Sequence, residues 1–599
     1  MRGTSTGKGG AITLAISVAV GLGWAAERGP VAACGRLLDN RGWGGHERVV
    51  TEPDSGAAVV RFTIDATNTH PISRFIYGVN FYESPPGPST PRWPKNLALS
   101  RMGGNRLTAY NWENNASNAG NDWEFHNDGY LGGGNAPGEA VRSRVAGAFE
   151  RGAGIIVTVP MLGFVARDKA GTRVGTEEAT RAQRLASRFV VSRPRKGAPF
   201  SGEPDTGDGY VNQDEFVWWL DRRFPSAAGS ATRPIFFSLD NEPDIWHSTH
   251  EEIRSKVNGR DDLTGYDELV QLTIDYASAI KSVAPGAQVF GPGMATWNGD
   301  VNLYHNHAPD PAGRQFFLEY YLDQLRQAEG VHGRRLVDVL DLHWYPAAGT
   351  VTGSIDNDYQ TQTPEMVNAR LQAPRSLWDP NYNERSWVSD VRGGPIRLIP
   401  FLKEMIAAHY PGTRLAITEY YYGRGGDISG GIAQADVLGI FGREGVYAAT
   451  LWPNAGIWAR PYNGKPDLAY AYVIGALRMY RDYDGQGHSF GDTSIEATTT
   501  DVAGTSVYAS TDTADPSRII IVAVNKTGTA KSAAITLKAS RQFRSAEVYT
   551  MTDGSPNPQR KPNLTITDPT AFTYAMPAMS VSTLVLHGDP APSPSLQPR

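Results

Sequence analysis

A single cysteine, Cys34, in 599 residues leaves no disulfide framework and no thiolate metal site to organise the chain. An excess of one charge is lacking as well. The 57 Lys and Arg stand against 62 Asp and Glu, a net charge of -5, so no basic surface for nucleic acid and no acidic tail is encoded. There is no internal repeat. Long apolar runs are missing too, apart from Ala11–Ala26, which is short for a membrane span. These absences leave a chain of globular composition, 40% hydrophobic and 20% charged, with room for a large domain and a smaller one.

Arg2 and Lys8 precede the apolar run and small residues end it, so residues 1–33 read as a secretory signal and the protein is expected outside the cell. Val31-Ala-Ala-Cys34 has the look of a lipoprotein box, but Glu27-Arg-Gly-Pro30 separates it from the apolar run. A lipid anchor at Cys34, on the cell surface, is therefore the alternative, and an incidental cysteine in a removed segment a third reading. Fourteen Trp and 26 Tyr suit a stacking surface of the kind sugar binders use, although cores use these residues as well.

The texture changes along the chain. Residues 34–58 are aperiodic and rich in Gly, Arg and Asp, as linkers are, and residues 59–71 alternate like a half-buried strand. From 72 to 484, short apolar strands alternate with helical stretches. The spacing predicts strands over Phe75–Asn80, Leu99–Met102, Ile155–Val159, Ile235–Leu239, Gln288–Phe290, Val337–Leu342, Leu415–Thr418 and Tyr447–Leu451. Leu269, Leu272, Tyr276, Ile280 and Val283 mark a helix with Thr264 at its N-cap and Pro285-Gly286 as its stop. Further helices are predicted over Glu177–Val191, Gln213–Phe224 and Pro395–His409. Eight strands with interposed helices predict an α/β fold, a (β/α)8 TIM barrel. Residues 485–588 instead show strands joined by turn residues with no helical period, an additional β-sandwich domain. Its predicted strands are Thr505–Ser510, Arg518–Val524, Ala533–Leu537, Ala546–Thr550 and Val581–His587, and the N-terminal strand is expected to join them. Residues 589–599 form a Pro/Ser-rich tail.

The suspicious polar groups fall where these strands end. The fourth runs into Asp240-Asn241-Glu242-Pro243, the sixth into His343-Trp344-Tyr345-Pro346, the seventh into Glu419, the eighth into Trp452. An apolar strand that ends in an acid is poor chemistry for a core and good chemistry for a barrel mouth. Taken alone, Glu242 could cap the next helix or pair with an arginine. Together with Glu419 across the same face, it forms a carboxylate pair in aromatic surroundings with no metal motif, the equipment of glycoside hydrolysis. Asp240 and Asp244 read as structural.

Asn-Glu-Pro after strand four and Thr-Glu-Tyr after strand seven resemble the clan of retaining glycosidases built on this barrel. Arg101-Met-Gly-Gly-Asn-Arg106, Tyr110-Asn-Trp-Glu-Asn114, Asn121-Asp-Trp123, Ser238–Pro243, Asp341–Tyr345 and Ile417–Tyr420 resemble glycoside hydrolase family 44, bacterial endo-β-1,4-glucanases and xyloglucanases. The resemblance implies Glu242 as general acid/base and Glu419 as nucleophile. It implies Asn241 on the sugar 2-hydroxyl, and His343 and Tyr345 beside the nucleophile or its sugar. Asn105, Trp123 and Trp452 would line the cleft, with Trp387 a weaker candidate. Plain packing is the other reading for Trp123 and Trp452, and a buried salt bridge the other reading for Arg101 and Arg106. It implies a β-glucan polysaccharide substrate, no cofactor for catalysis, and a structural calcium in many members. Asp261, Asp262 and Asp267 are plausible loop acids for that calcium but lack calcium-loop spacing, so the metal ligands stay unknown. A monomer is expected. Another clan glycosidase (xylanase, mannanase or exo-acting) and a non-catalytic glycan-binding protein remain the alternatives.

Overall fold

A computed structural model describes residues 58–83, 92–175, 180–256, 260–303, 316–350, 353–355, 362–452 and 470–588. The expected signal segment, Cys34, most of the linker and the Pro/Ser tail lie outside the described residues. Eight strands, β1 (Gly78–Asn80), β2 (Leu99–Met102), β3 (Gly154–Val159), β4 (Ile235–Leu239), β5 (Val289–Met294), β6 (Val339–Trp344), β7 (Arg414–Tyr420) and β8 (Ala448–Leu451), pair in parallel and in chain order into a closed barrel. Except for Arg414 at the start of β7, every residue of these strands is buried. A parallel sheet covered on both faces requires this, and it explains runs such as Ile235-Phe-Phe-Ser-Leu239.

The inside of the barrel is built in layers. Phe75, Leu99, Ile156, Phe236, Phe290, Val339, Ala416 and Ala448 form one closed apolar cluster, a floor to which seven of the strands and the turn before β1 contribute one residue each. Side chains alternate along a strand, so the residue two positions on faces inward again. On six of the seven strands those positions are Arg101, Thr158, Ser238, Asp341, Thr418 and Thr450, all buried and polar, and on β5 the position is Pro292. Their groups bond within the layer or to neighbouring groups. The Thr418 hydroxyl donates to Asp341 at 2.8 Å, and Thr158 donates to the Met102 carbonyl at 2.8 Å. The functional face begins above this polar layer.

The ranges differ from the sequence reading in instructive places. Arg74–Ile76 forms a 3-10 turn rather than the start of a strand, which lets Phe75 plug the floor. The helix after β4 runs Tyr266–Val283 with Gly265 at its N-cap, because the Thr264 hydroxyl donates to the Pro243 carbonyl at 2.6 Å instead of capping. The predicted Glu177–Val191 helix is shorter, Arg181–Arg188, capped by Thr180. Its apolar end, Phe189–Arg193, is a strand paired with Phe164–Ala166.

The C-terminal region is one nine-stranded, mostly antiparallel sheet closed around its own apolar core. Tyr574, on the last strand of the sheet order, donates to Ser582 on the third at 2.8 Å, so the sheet folds over itself. The N-terminal strand Ala58–Pro71 sits within it, antiparallel to Thr493–Thr499 and parallel to Lys531–Lys538. Three strands were not expected: Thr493–Thr499, Ser555–Thr565 and Ala571–Met576. Ser555–Thr565 carries Pro556, Pro558 and Pro562, which an outermost strand tolerates because one of its edges needs no donors. Helix Ile428–Arg443 is nearly all buried because barrel and sheet cover its two sides. Its Asp436 pairs with Lys526 at 2.6 Å and accepts from the Tyr508 hydroxyl at 2.6 Å. Phe62, fully buried in the sheet's core, ties the two ends of the described chain together. Phe62→Ala is expected to cost about 3–5 kcal/mol, read as a lowered melting temperature; an unchanged melt would contradict the role given to this strand.

Candidate active site

The turn after β4 is strained where it carries Glu242. Asp240 (φ 65°) and Glu242 (φ 50°) both adopt left-handed backbone, which side chains of this kind rarely do. Several bonds hold them there. The Glu242 N–H donates to the Gly293 carbonyl at 2.9 Å. The buried Asp240 carboxyl accepts from the Thr108 hydroxyl at 2.6 Å, the Asn241 N–H at 2.7 Å and the Leu162 N–H at 3.1 Å. Asp244 accepts from the Ala295 N–H at 3.0 Å and ties the turn to the end of β5. Both aspartates are structural anchors of the acid.

Glu419 reaches the same space through a different device. In the β6–β7 ladder Leu342 pairs with Ile417 and His343 with Glu419, leaving Thr418 as an extra residue. The bulge lets Thr418 serve the polar layer while Glu419, next in sequence, enters the mouth. Arg101, with no exposed side-chain surface, joins the parts. It donates to Glu419 Oε1 at 2.6 Å, Asn80 Oδ1 at 3.2 Å and Asn241 Oδ1 at 2.8 Å, and lies 3.3 Å from His343 Nε2. Of the two readings for Arg101, the buried ion pair is what forms. A Cβ at Gly103 would sit 2.3 Å from the guanidinium carbon, so only glycine fits above this group. Arg106 pairs with Asp128 at 2.6 Å and lies over the Tyr130 ring at 4.4 Å.

The Tyr345 hydroxyl donates to Glu419 Oε2 at 2.9 Å, and His343 Nδ1 lies 2.8 Å from Glu242 Oε1. Arginine only donates, so His343 Nε2 accepts and its proton sits on Nδ1, which donates to Glu242. Burial, helped by Arg101, drives His343 down to about 3, so the ring is neutral. Burial chiefly, with Asp122 adding and Arg101 opposing, raises Glu242 to about 7. With Oε1 accepting from His343, the Glu242 proton belongs on the other oxygen. Carboxylate oxygens of Glu242 and Glu419 and a ring nitrogen of His343 all lie within 4.8 Å of one another. These donor types could also ligate a cation, but Arg101 already brings positive charge to the trio.

Asn241 Oδ1 is occupied by Arg101 and by the Gly104 N–H at 3.1 Å, which leaves its NH2 facing Asn105 Oδ1 at 3.5 Å. Asn105 donates to Asp122 at 2.9 Å and Asn121 at 3.2 Å, so it is a strut of the loop after β2. Trp452 packs edge-on against Phe81, and a Cβ at Gly104 (φ 88°) would meet its ring at 2.8 Å. Trp123, half-buried, stands edge-on to His126. Trp387 is not among the residues in contact with the glutamates. It is 43% exposed on the wall of a cavity of about 540 Å³, lined also by Ala347, Ser354, Asn383 and Glu384.

Endoglucanase A of Paenibacillus lautus is 37% identical over 555 residues, covering 90% of this chain and 74% of that protein. The model described as glycoside hydrolase family 44 matches residues 116–348. The family 44 xyloglucanase structure from Paenibacillus polymyxa superposes with a TM-score of 0.79 at 36% identity, over 89% of this chain and all of that one. The chain belongs to glycoside hydrolase family 44. The family 44 endoglucanase from Clostridium thermocellum gives 0.79 and 36% over the same shares. A beta-mannanase/endoglucanase A of Caldicellulosiruptor saccharolyticus is 37% identical over 80% of this chain, which spans 36% of that longer protein.

Residues missed in the sequence of this family 44 chain are Asn80, Asp122 and Asp341. Asp341 sits two positions beyond the floor residue Val339, a signal visible only once the floor is known, and Asn80 ends β1 in register with Arg101. Arg101→Lys keeps the charge but cannot hold four partners, so kcat is expected to fall roughly 100-fold; steady-state kinetics with an unchanged kcat would refute that. Glu242 must be protonated to act as an acid, so the alkaline limb of kcat/KM should fall through pH of about 7. Stability should also drop as pH rises. Burial raises Asp240 to about 6, Asp341 to about 7 and Asp244 to about 8, so the folded state binds more protons than the unfolded one between the usual carboxylate range and those values. The melting temperature should be higher at pH 5 than at pH 8.

Proposed function

We propose that this glycoside hydrolase cleaves β-1,4-glucan backbones internally with retention of anomeric configuration. The carrying observation is the approach of Glu242 and Glu419 to within 4.8 Å. Retaining enzymes hold their carboxyls about 5–5.5 Å apart, while inverting enzymes need about 6.5–9.5 Å to admit water. Glu419, with both oxygens fixed by Arg101 and Tyr345, attacks the anomeric carbon as the carboxylate. The bond to the leaving oxygen breaks, and that oxygen takes the Glu242 proton. Water then loses a proton to Glu242 and displaces Glu419 from the sugar. The free N–H of Asn241 suits the sugar 2-hydroxyl, a contact that strengthens in the transition state. Trp452 and Trp123 suit ring stacking, and Trp387 with the adjoining cavity suits a more distant unit.

Glu419→Gln is expected to abolish the glycosyl-enzyme, read by mass spectrometry with a slow substrate. Glu242→Gln should spare the first step for substrates with good leaving groups; equal loss in both variants on those substrates would reverse the assignment. Proton NMR of the first product should show the β-anomer. A second substrate reading has support, since a relative with 30% identity and a TM-score of 0.71 is a bifunctional glucanase-xylanase. A panel of carboxymethylcellulose, xyloglucan, glucomannan and xylan, read by product size, separates these readings. Release of no reducing ends would favour a glycan-binding protein.

Export is part of the same proposal, supported by the basic and apolar N-terminal segment, with lipidation at Cys34 as its variant and a monomer as the working state. No helix among the described residues is long and apolar enough to cross a membrane. A structural calcium does not fit the loop acids named from sequence. Asp261 faces Lys256 at 3.2 Å, Asp262 faces Arg254 at 3.6 Å, and Asp267 accepts from the Tyr320 hydroxyl. Glu113 is buried and raised to about 8 by burial, Asp208 and Glu215, but it belongs to no group of three possible ligand atoms among the described residues. A melting temperature unchanged by EDTA is the expected result.

A further inference from the structure

His250, with no exposed surface, follows the short helix Trp246–Thr249 beyond the turn of Glu242. Its Nε2 lies 2.9 Å from the Asn105 carbonyl on the loop after β2, and its Nδ1 lies 2.9 Å from Glu252 Oε1. A carbonyl oxygen only accepts, so Nε2 carries a proton, and Nδ1 faces a carboxyl oxygen only with a second proton between them. Burial works against a charge on the ring, but the Glu252 carboxylate and the bonds to Glu252 and Asn105 outweigh it and raise His250 above the usual histidine value. The other Glu252 oxygen is buried without a hydrogen-bond partner, which leaves His250 to match its charge. Buried pairs of this kind rarely stabilise a fold more than apolar side chains of the same volume would. What this one orients is the Asn105 carbonyl.

Among the described residues, three groups bond the Asn241 side chain. Arg101 and the Gly104 N–H donate to Oδ1 at 2.8 and 3.1 Å, and Asn105 Oδ1 lies 3.5 Å from Nδ2. Two of these belong to the Gly104-Asn105 step, whose carbonyl side His250 holds. From the opposite side, Trp246 Nε1 donates to the Asn241 carbonyl at 3.2 Å, and the His250 N–H donates to the Trp246 carbonyl at 2.9 Å. The bonds close a circle from Asn241 through Trp246, His250 and Asn105 back to Asn241. A Cβ at Gly120 (φ 56°) would sit 2.5 Å from the Thr249 carbonyl oxygen and 3.1 Å from His250 Cε1, so the loop is seated directly on this segment.

We propose that His250 is a positioning residue for Asn241: its Glu252-held ring fixes the Gly104-Asn105 step, and that step aims the Asn241 amide at the sugar 2-hydroxyl. The role rests on the sugar contact given to Asn241 under Proposed function. Such a contact strengthens in the transition state and has no counterpart in a substrate without that hydroxyl.

Two aryl β-cellotriosides, one of them 2-deoxy in the unit bearing the aryl group, read the role. His250→Phe removes both ring bonds, so kcat/KM on the 2-hydroxy substrate should fall roughly 10-fold while the 2-deoxy value stays within about 2-fold of the native protein. Glu252→Leu, which leaves the ring without its holder, should show the same split in milder form, and it carries the test if His250→Phe does not fold. Glu252→Gln, whose amide donates to a bare Nδ1 while Nε2 keeps its proton, should stay near native on both substrates. Equal losses on the two substrates, as a merely structural role would give, or no loss at all, would overturn the proposal. Asn241→Ala tests the sugar contact separately, and equal losses there would remove the 2-hydroxyl reading. Nitrogen-15 NMR of the Asn241 side-chain amide, assigned by its absence in Asn241→Ala, then decides the positioning role without substrate. A displaced signal in Glu252→Leu that returns in Glu252→Gln supports it, and coincident signals in native and Glu252→Leu proteins overturn it.

Discussion

The site depends on a guanidinium buried at the centre of a barrel. A charge in that position is tolerable only when its donors are matched, and breaking such a group typically costs several kcal/mol. Arg101 meets most of the condition: Nη1 and Nη2 bind Glu419, Asn241 and Asn80 and face the bare nitrogen of His343, while Nε is left without a hydrogen-bond partner. These partners come from β1, β4, β6 and β7 or the turns after them. Satisfying one cation thus positions Glu419, Asn241 and the histidine that touches Glu242. The Gly103-Gly104 step is the steric counterpart: one glycine leaves room for the guanidinium, the other for Trp452.

The same arrangement separates two carboxyls in chemical character. Glu419 is held by a cation and a phenol, whereas Glu242 has a neutral imidazole and low-dielectric surroundings, which favour its protonated form. The neutrality of His343 matters for this. Were it a cation, it would draw the proton off Glu242, but burial and the Arg101 charge both hold the ring uncharged. Beneath both acids, the polar layer of Arg101, Thr158, Ser238, Asp341, Thr418 and Thr450 and the apolar floor form a rigid base. Glu419 and His343 so stand on the strands themselves, and Glu242 on the turn directly after β4.

Much of this was legible in the chain. A fully buried strand writes itself as a nearly continuous apolar run, so β4 is legible to the residue, and the polar strand ends point to the two glutamates. Less legible were elements whose residues carry two signals. Phe189–Arg193 continues a helical pattern yet pairs as a strand, and Ser555–Thr565 hides an edge strand behind three prolines. Thr264 has the residue type of an N-cap but spends its hydroxyl on the turn of the acid.

What the sequence determined by itself was the barrel, the extra β domain and the pair Glu242 and Glu419, because burial and strand-end chemistry are local properties of the residue order. Only the tertiary structure decided how the pair is held. The Thr418 bulge, the four contacts of Arg101, the proton on His343 Nδ1 and the closeness of the carboxyls arise between segments 21 to 318 residues apart. Their energies depend on distance and dielectric, which no stretch of sequence carries alone.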